Sequence, residues 1–421
     1  MAATNALVLN GGTIKDLAGN DVAAVGFNNV NPAGTLVVDT IAPTLSTTAP
    51  AVAVGTAVSG TAGNSAGETV TLTVTFDGNV TGLSSGTDSN VFKVGGTGVN
   101  AQWSGTDNTA TRTLTYTVAA GQNGQLTIDE EALKAALVAG IKDAAGNAFS
   151  YTANSGNIAD IDSTALPVVD TTAPALSSAA YGTNDGRLAL GEAVTLSVTM
   201  SEAVNVVTTG GTPSLTLNNG GTATYTVGTG TSTLSFSYTP SAGQDVSDLA
   251  MAATNALVLN GGTIKDLAGN DVAVAGFNNV NPAGTLVVDT VAPSHSGSAT
   301  FVASTKVITF TFSEAVVFTD ATGLSATLNP NESNKYSGTP LTIGTVTGTN
   351  VLSITVGGAT LSDSDVVRLR YDGSGNVTDL AGNAFVGGEV YIGGSAANTI
   401  DLSYYGSNLT QILRGNGGND S

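Results

Sequence analysis

The chain has 421 residues, with 32 Asp and Glu against 12 Lys and Arg for a formal charge of −20, no cysteine, and aromatic residues at 5%. So acidic a balance makes nucleic acid and anionic membrane surfaces poor partners. The lack of cysteine removes disulfide and thiol chemistry, and no apolar stretch reaches membrane-spanning length, so no membrane insertion is expected.

Aliphatic residues are plentiful, and Thr, Ser, Gly and Asn fill much of the rest, a mix that suits β-sandwiches with polar faces and many turns. Residues 1–43 recur at 251–293, differing only at Ala24 against Val274, Val25 against Ala275 and Ile41 against Val291. Such identity marks tandem duplication. Met1 corresponds to Met251, inside a repeat, so the chain is expected to start in mid-module, as a piece of a longer repeat protein. No basic segment followed by an apolar one opens it, and no secretory leader is expected there. Half a sandwich cannot bury its apolar face, so residues 1–42 should borrow strands or pack poorly.

A junction of the form Val-Asp-Thr-x-Ala-Pro occurs at Val38 to Pro43, Val169 to Pro174 and Val288 to Pro293. Its proline fixes φ, removes a donor and holds the preceding alanine extended, so the crossing is stiff. The junctions divide the chain into pieces of ordinary domain size, roughly 100 to 130 residues. The expected map is a truncated module at 1–42, complete modules at 43–172, 173–291 and 292–391, and a tail at 392–421.

Inside the complete modules, Thr69 to Phe76, Val194 to Met200 and Lys306 to Phe312 alternate apolar and polar residues, as half-buried strands do. Arg112 to Val118 and Thr233 to Tyr238 read the same way. One helix is expected over Ile128 to Val138, with acids in its first turn and Gly140 at its end. Short strands separated by Gly, Asn and Ser clusters, in modules this long, point to an all-β fold of tandem immunoglobulin-like Greek key sandwiches.

Each complete module carries acids at three matched places: the junction before it, the end of its second strand, and the first residue of an Asp-x-Ala-Gly-Asn run. In a seven-strand sandwich, strand parity brings these to one pole. The expected sets are Asp39 with Asp77 and Asp143, Asp170 with Glu202 and Asp266, and Asp289 with Glu314 and Asp379. Three crowded carboxylates repel one another, and a calcium ion, which takes six to eight hard oxygen ligands, would make each cluster favourable and clamp consecutive modules. The alternative is that Asp-x-Ala-Gly-Asn is only a turn, with Asp bonding local amides.

In the tail, Leu413 to Asp420 is similar to the opening of calcium-binding nonapeptide repeats of the form Gly-Gly-x-Gly-x-Asp: Gly415, Gly418 and Asp420 match, and Asn416 replaces a glycine. Stacked turns of that kind bind calcium between coils of a β-roll, so Asp420 is a candidate ligand lacking its partners in a single turn.

The Asp-Thr-x-Ala-Pro junctions, the Ser-Glu-Ala-Val strand ends, the Asp-Leu-Ala-Gly-Asn turns and this tail together resemble the bacterial immunoglobulin-like repeats of large secreted adhesins of the RTX type. The resemblance implies a calcium-rigidified extender of a cell-surface or secreted adhesin, exported by type I secretion and serving attachment or biofilm. It further implies a monomeric extended chain whose surface ligand, a glycan or protein, binds outside this stretch. Rival readings are a surface-layer lattice protein and accessory modules of a secreted hydrolase.

Catalysis within the chain is not expected. Gly63 to Gly67 and Gly82 to Gly86 fit the nucleophile-elbow pattern, yet neither is expected between a buried parallel strand and a helix. The single histidine, His295, belongs to another module. Trp103 reads as core or surface filler before it reads as a sugar platform.

Overall fold

The computed structural model describes residues 7–23, 26, 28–29, 38–47, 52–56, 66–151, 166–296, 299–318, 322–328, 339–347, 349–360, 365–373, 377–393 and 411–414. Among these the regular structure is β, apart from the α-helix Glu130–Gly140 and a 3-10 turn at Val274–Phe277. Two compact units result, one from the residues before Val169 without Ser59–Ala66 and Ala119–Asn123, the other from those two stretches and Val169 onwards. The class is all-β, with immunoglobulin-like antiparallel sandwiches.

In the first unit the strand Thr69–Thr81 lies between Val52–Thr56 and Thr109–Thr117, and Ala101–Ser104 and Thr87–Asp88 extend the sheet. Its alternation is physical: Val70, Leu72, Val74 and Phe76 are buried while the threonines between them are partly exposed. Trp103 is buried in this core. The helix Glu130–Gly140 starts where Asp129 accepts a hydrogen bond from the amide of Ala132, and it buries Leu133 and Leu137. Ser84 lies between two antiparallel strands, not on a strand-to-helix turn, and Ser65 is outside the described residues.

The second unit opens with the sheet Leu176–Tyr181, Val194–Val207, Thr231–Tyr238, Thr222–Val227, Ser214–Thr216, Leu257–Val258. Val194–Val207 pairs with Thr231–Tyr238, passing over the two intervening strands, which is the Greek key crossing. Farther on, Val307–Thr311 pairs with Val351–Gly357 in the same manner, and Thr339–Thr347 turns the corner to Leu324–Leu328, Val366–Tyr371 and Gly388–Gly393. Gln411–Arg414 adds in parallel to Gly388–Gly393.

One feature of the long strands positions the acids. Val194–Val207 pairs with Thr231–Tyr238 through Thr199, its register shifts between Thr199 and Val204, and Val204 to Val207 then pair with Thr263–Asp266. Thr69–Thr81 behaves alike, shifting between Thr75 and Val80 before pairing with Lys142–Asp143. Near His295 the strand breaks outright, into Val307–Thr311 and Val316–Phe318, and the latter pairs with Val377–Asp379. A bulge of this kind re-aims the side chains it carries.

Residues 7–23 keep the local turns of their near-copy at 257–273. Asn10 and Gly11 have φ of 44° and 89°, against 54° and 87° at Asn260 and Gly261. Their apolar side chains fare differently: Ile14 is 50% exposed where Ile264 is fully buried, and Leu17 is wholly exposed.

Candidate metal centre

Each candidate centre is assembled from three local devices. The first is the Asp-x-Ala-Gly-Asn turn. The amide of Asp266 donates to the carbonyl of Asn270 (3.1 Å), and Asp266 Oδ1 accepts from the amides of Gly269 (2.7 Å) and Asn270 (2.9 Å). Asp379 repeats this, its Oδ1 accepting from Ala381, Gly382 and Asn383 at 2.7 to 2.9 Å. The glycine stands at φ 88°, 96°, 104° and 105° in Gly19, Gly146, Gly269 and Gly382, a left-handed geometry that fixes its identity.

The second device is the tie from turn to junction. Asn270 Nδ2 donates to Asp266 Oδ2 (2.8 Å) and to the carbonyl of Asp170 (2.9 Å). Asn383 Nδ2 donates likewise to Asp379 Oδ2 (2.7 Å) and the carbonyl of Asp289 (2.8 Å), and its Oδ1 accepts from the amide of Leu190 (2.9 Å). The junction acids hold themselves in Asx turns, Asp170 Oδ1 accepting from Thr172 (2.9 Å) and Asp289 Oδ1 from Val291 (3.1 Å).

The third device is an interruption of the long strand, a bulge that carries Glu202 in one case and a break that carries Glu314 in the other. Together the devices bring carboxylate oxygens of Asp170, Glu202 and Asp266 within 4.8 Å of one another, and those of Asp289, Glu314 and Asp379 equally. Asp266 and Asp379 are buried, and the other four are half-buried. Burial, then the charges of Asp266 and Asp170, push the Glu202 carboxyl above its ordinary value. Burial, then Asp289 and Asp379, do the same to Glu314. None of the five ion pairs among the described residues involves these six acids.

The donor set is all oxygen, the chemistry of a hard cation. Two ligands on one calcium at about 2.4 Å each stand at most ~4.8 Å apart, a limit that both sets of oxygens meet, so the geometry admits a hard divalent cation. The turn reading does not compete with this: an ionised carboxylate offers about four acceptor positions, and the bonds to each Asp266 and Asp379 side chain leave Oδ2 with spare capacity.

The third expected set does not assemble. Asp39 Oδ1 accepts from Ile41 (3.0 Å), and Asn147 Nδ2 bonds Asp143 Oδ2 (2.8 Å) and the Asp39 carbonyl (3.1 Å), so turn and tie are in place. Asp77, however, is not the counterpart of Glu202 and Glu314. Its amide donates to the carbonyl of Thr44 and its Oδ1 accepts from the amide of Thr44. These are the bonds that Ser201 makes with Ala175 and Ser313 with Ser294. Counting back from the paired residues Val80, Val204 and Val316 gives the same register, and Gly78 stands where the glutamates stand. The similarity of Phe-Asp-Gly to Ser-Glu-Ala hid a slip of one residue. Asp420 and the other matching residues of the nonapeptide onset, Gly415 and Gly418, lie outside the described residues.

The architecture defines a class: an all-β chain of immunoglobulin-like sandwiches that carries two acidic clusters. Residues 62–150 match the model of the BatD DUF11-like domain family. No curated protein matches the chain. Among solved structures it is similar to FdeC, an adhesin of Escherichia coli, at 15% identity over 78% of this chain and 96% of that one, with a TM-score of 0.28. It is also similar to the S-layer protein SbsC (12% identity, 84% of this chain, 54% of that one, TM-score 0.14). A third is an endo-fucoidan hydrolase of glycoside hydrolase family 107 (14%, 79% and 42%, TM-score 0.16). No helix among the described residues is long and apolar enough to cross a membrane.

Proposed function

We propose that this chain is an extender region of a bacterial cell-surface or secreted adhesin, stiffened at its junctions by calcium and serving attachment or biofilm formation. The observation that carries the reading is the paired clusters Asp170, Glu202, Asp266 and Asp289, Glu314, Asp379, built by the same devices in successive modules and without ion-pair partners among the described residues. A cation held there by Asp289, Glu314 and Asp379 would bind a junction, a bulge and a turn together, and the charge it supplies would relieve their repulsion. The chain's own residues do the positioning: Asn383 fixes the junction carbonyl, and the break between Val307–Thr311 and Val316–Phe318 presents Glu314.

The match of residues 62–150 to a DUF11-like domain fits a surface module with no catalytic role of its own. Export by type I secretion and a ligand bound elsewhere, glycan or protein, belong to the same reading. Small-angle scattering and calorimetric melting in calcium and in chelator test it. A stiffer particle and a higher melting temperature in calcium are expected; identical profiles in both would overturn it. Assembly into ordered lattices on adding calcium would favour a surface-layer protein instead.

A further inference from the structure

The fourth module contains an apolar cavity of about 370 Å³, walled by Phe310, Phe312, Tyr371 and Phe385, with Ser294 and His295 at its junction side. We propose that it is a binding site for a small, flat, uncharged aromatic compound.

Three differences from the third module explain why the space exists. First, the residue two positions after the junction proline is the buried Leu45 in one module and the half-buried Leu176, packed on the core, in the next, but His295 here. The register confirms the equivalence, since Leu45 bridges Phe76, Leu176 pairs with Met200 and His295 bridges Phe312. Secondly, the third module follows its turn with Val274–Phe277, whose Phe277 is fully buried in the core. Among the described residues that follow the turn of the fourth there is no such filler: after Phe385 come Val386, 85% exposed, and Gly387, and then the strand Gly388–Gly393 begins. Thirdly, the buried apolar residues of the third module form one cluster, whereas those of the fourth form two, one around Phe301 and Val367 and the other around Phe312 and Tyr371. Close-packed interiors rarely leave such room.

The chemistry of the walls selects the ligand. Tyr371 and Phe385 are nearly parallel (23°, centroids 5.5 Å apart), and Phe312 meets Phe385 edge-on (89°, 5.2 Å). The wall is thus an aromatic cluster already packed by face and edge contacts, which a further flat ring can join. An apolar void of about 150 Å³ holds benzene, so the larger volume suits two fused rings. The net charge of −20 disfavours an anion. His295 and Ser294 supply polar atoms at one end, as ligand pockets with few convergent polar groups do.

The test uses the full chain and 2-naphthol as probe, read by calorimetry and fluorescence anisotropy. One probe per chain is expected, with binding at least tenfold weaker in Leu324→Trp, which fills the cavity from a half-buried wall position. If Leu324→Trp fails to melt cooperatively, Val386→Trp, at an exposed rim position, carries the same expectation. Absence of saturable binding, or equal binding by a folded filling variant, overturns the proposal and leaves a packing void.

Discussion

Glu314→Gln separates the two roles of its carboxylate, as a source of repulsion and as a ligand. At neutral pH its charge lies within 4.8 Å of oxygens of Asp289 and Asp379. At an effective dielectric constant of about 20, each like-charged pair at that distance costs about 3 kcal/mol, and partial exposure and salt reduce this to ~1–2 kcal/mol. In chelator the amide variant should therefore melt as high as the native chain or higher. In calcium the order should reverse, because a site filled at a hundredfold excess over Kd stabilises by about 2.7 kcal/mol, on the order of 10 °C for a module of this size. Differential scanning calorimetry of both chains, in chelator and in calcium, measures the four values. Identical melting of native and variant under both conditions would refute the reasoning.

The raised Glu202 and Glu314 carboxyls carry a sign for pH. The fold holds their protons more tightly than the unfolded chain does, so without calcium stability should fall as pH rises from the unfolded value of 4.5 through the raised one. A rise in melting temperature across that window in Glu202→Gln/Glu314→Gln, relative to native, checks this. Gly78→Glu restores the missing acid beside Asp39 and Asp143, and should create calcium-dependent stabilisation of the first unit; unchanged calcium uptake would count against the register. Asn383→Ala removes the bonds to Leu190, Asp289 and Asp379 from a buried position and should cost about 2–4 kcal/mol in chelator as well as in calcium. Gly382→Ala, forced to φ 105°, should cost about 1–2 kcal/mol, read by denaturant melting.

What the sequence made legible is what is encoded locally. Alternation located the long strands, and the acids after Asp129 located the helix, because both periods repeat within a few residues. The Asp-x-Ala-Gly-Asn turn is so local that Asp16 to Asn20 forms it while fully exposed, with Asn20 holding the Asp16 carboxyl below its usual range. Tertiary burial is not local: the same letters bury Ile264 and leave Ile14 half exposed, since only the former has Val194–Val207 to pair against. Where the strands end is not encoded locally either. The expectation stopped the second strand at Met200, but the chain bulges there and continues in a new pairing, which periodicity cannot foresee. The same bulge hides the register of Asp77, which its bonds to Thr44 and the pairing of Val80 with Asp143 place with Ser201. Alternation makes Arg112 one polar residue of a half-buried strand; it is fully buried, donating to the Val80 carbonyl (2.8 Å) and pairing with Asp107 (3.2 Å) where that strand's neighbour bulges.

Titration calorimetry of calcium into the native chain and into Glu202→Gln/Glu314→Gln tests the central claim most directly. The comparison by difference sets aside any ion bound elsewhere, including near Asp420. The native chain should take up two more calcium ions than the double variant at equal protein concentration. Equal uptake by the two chains would contradict the assignment of both acidic clusters.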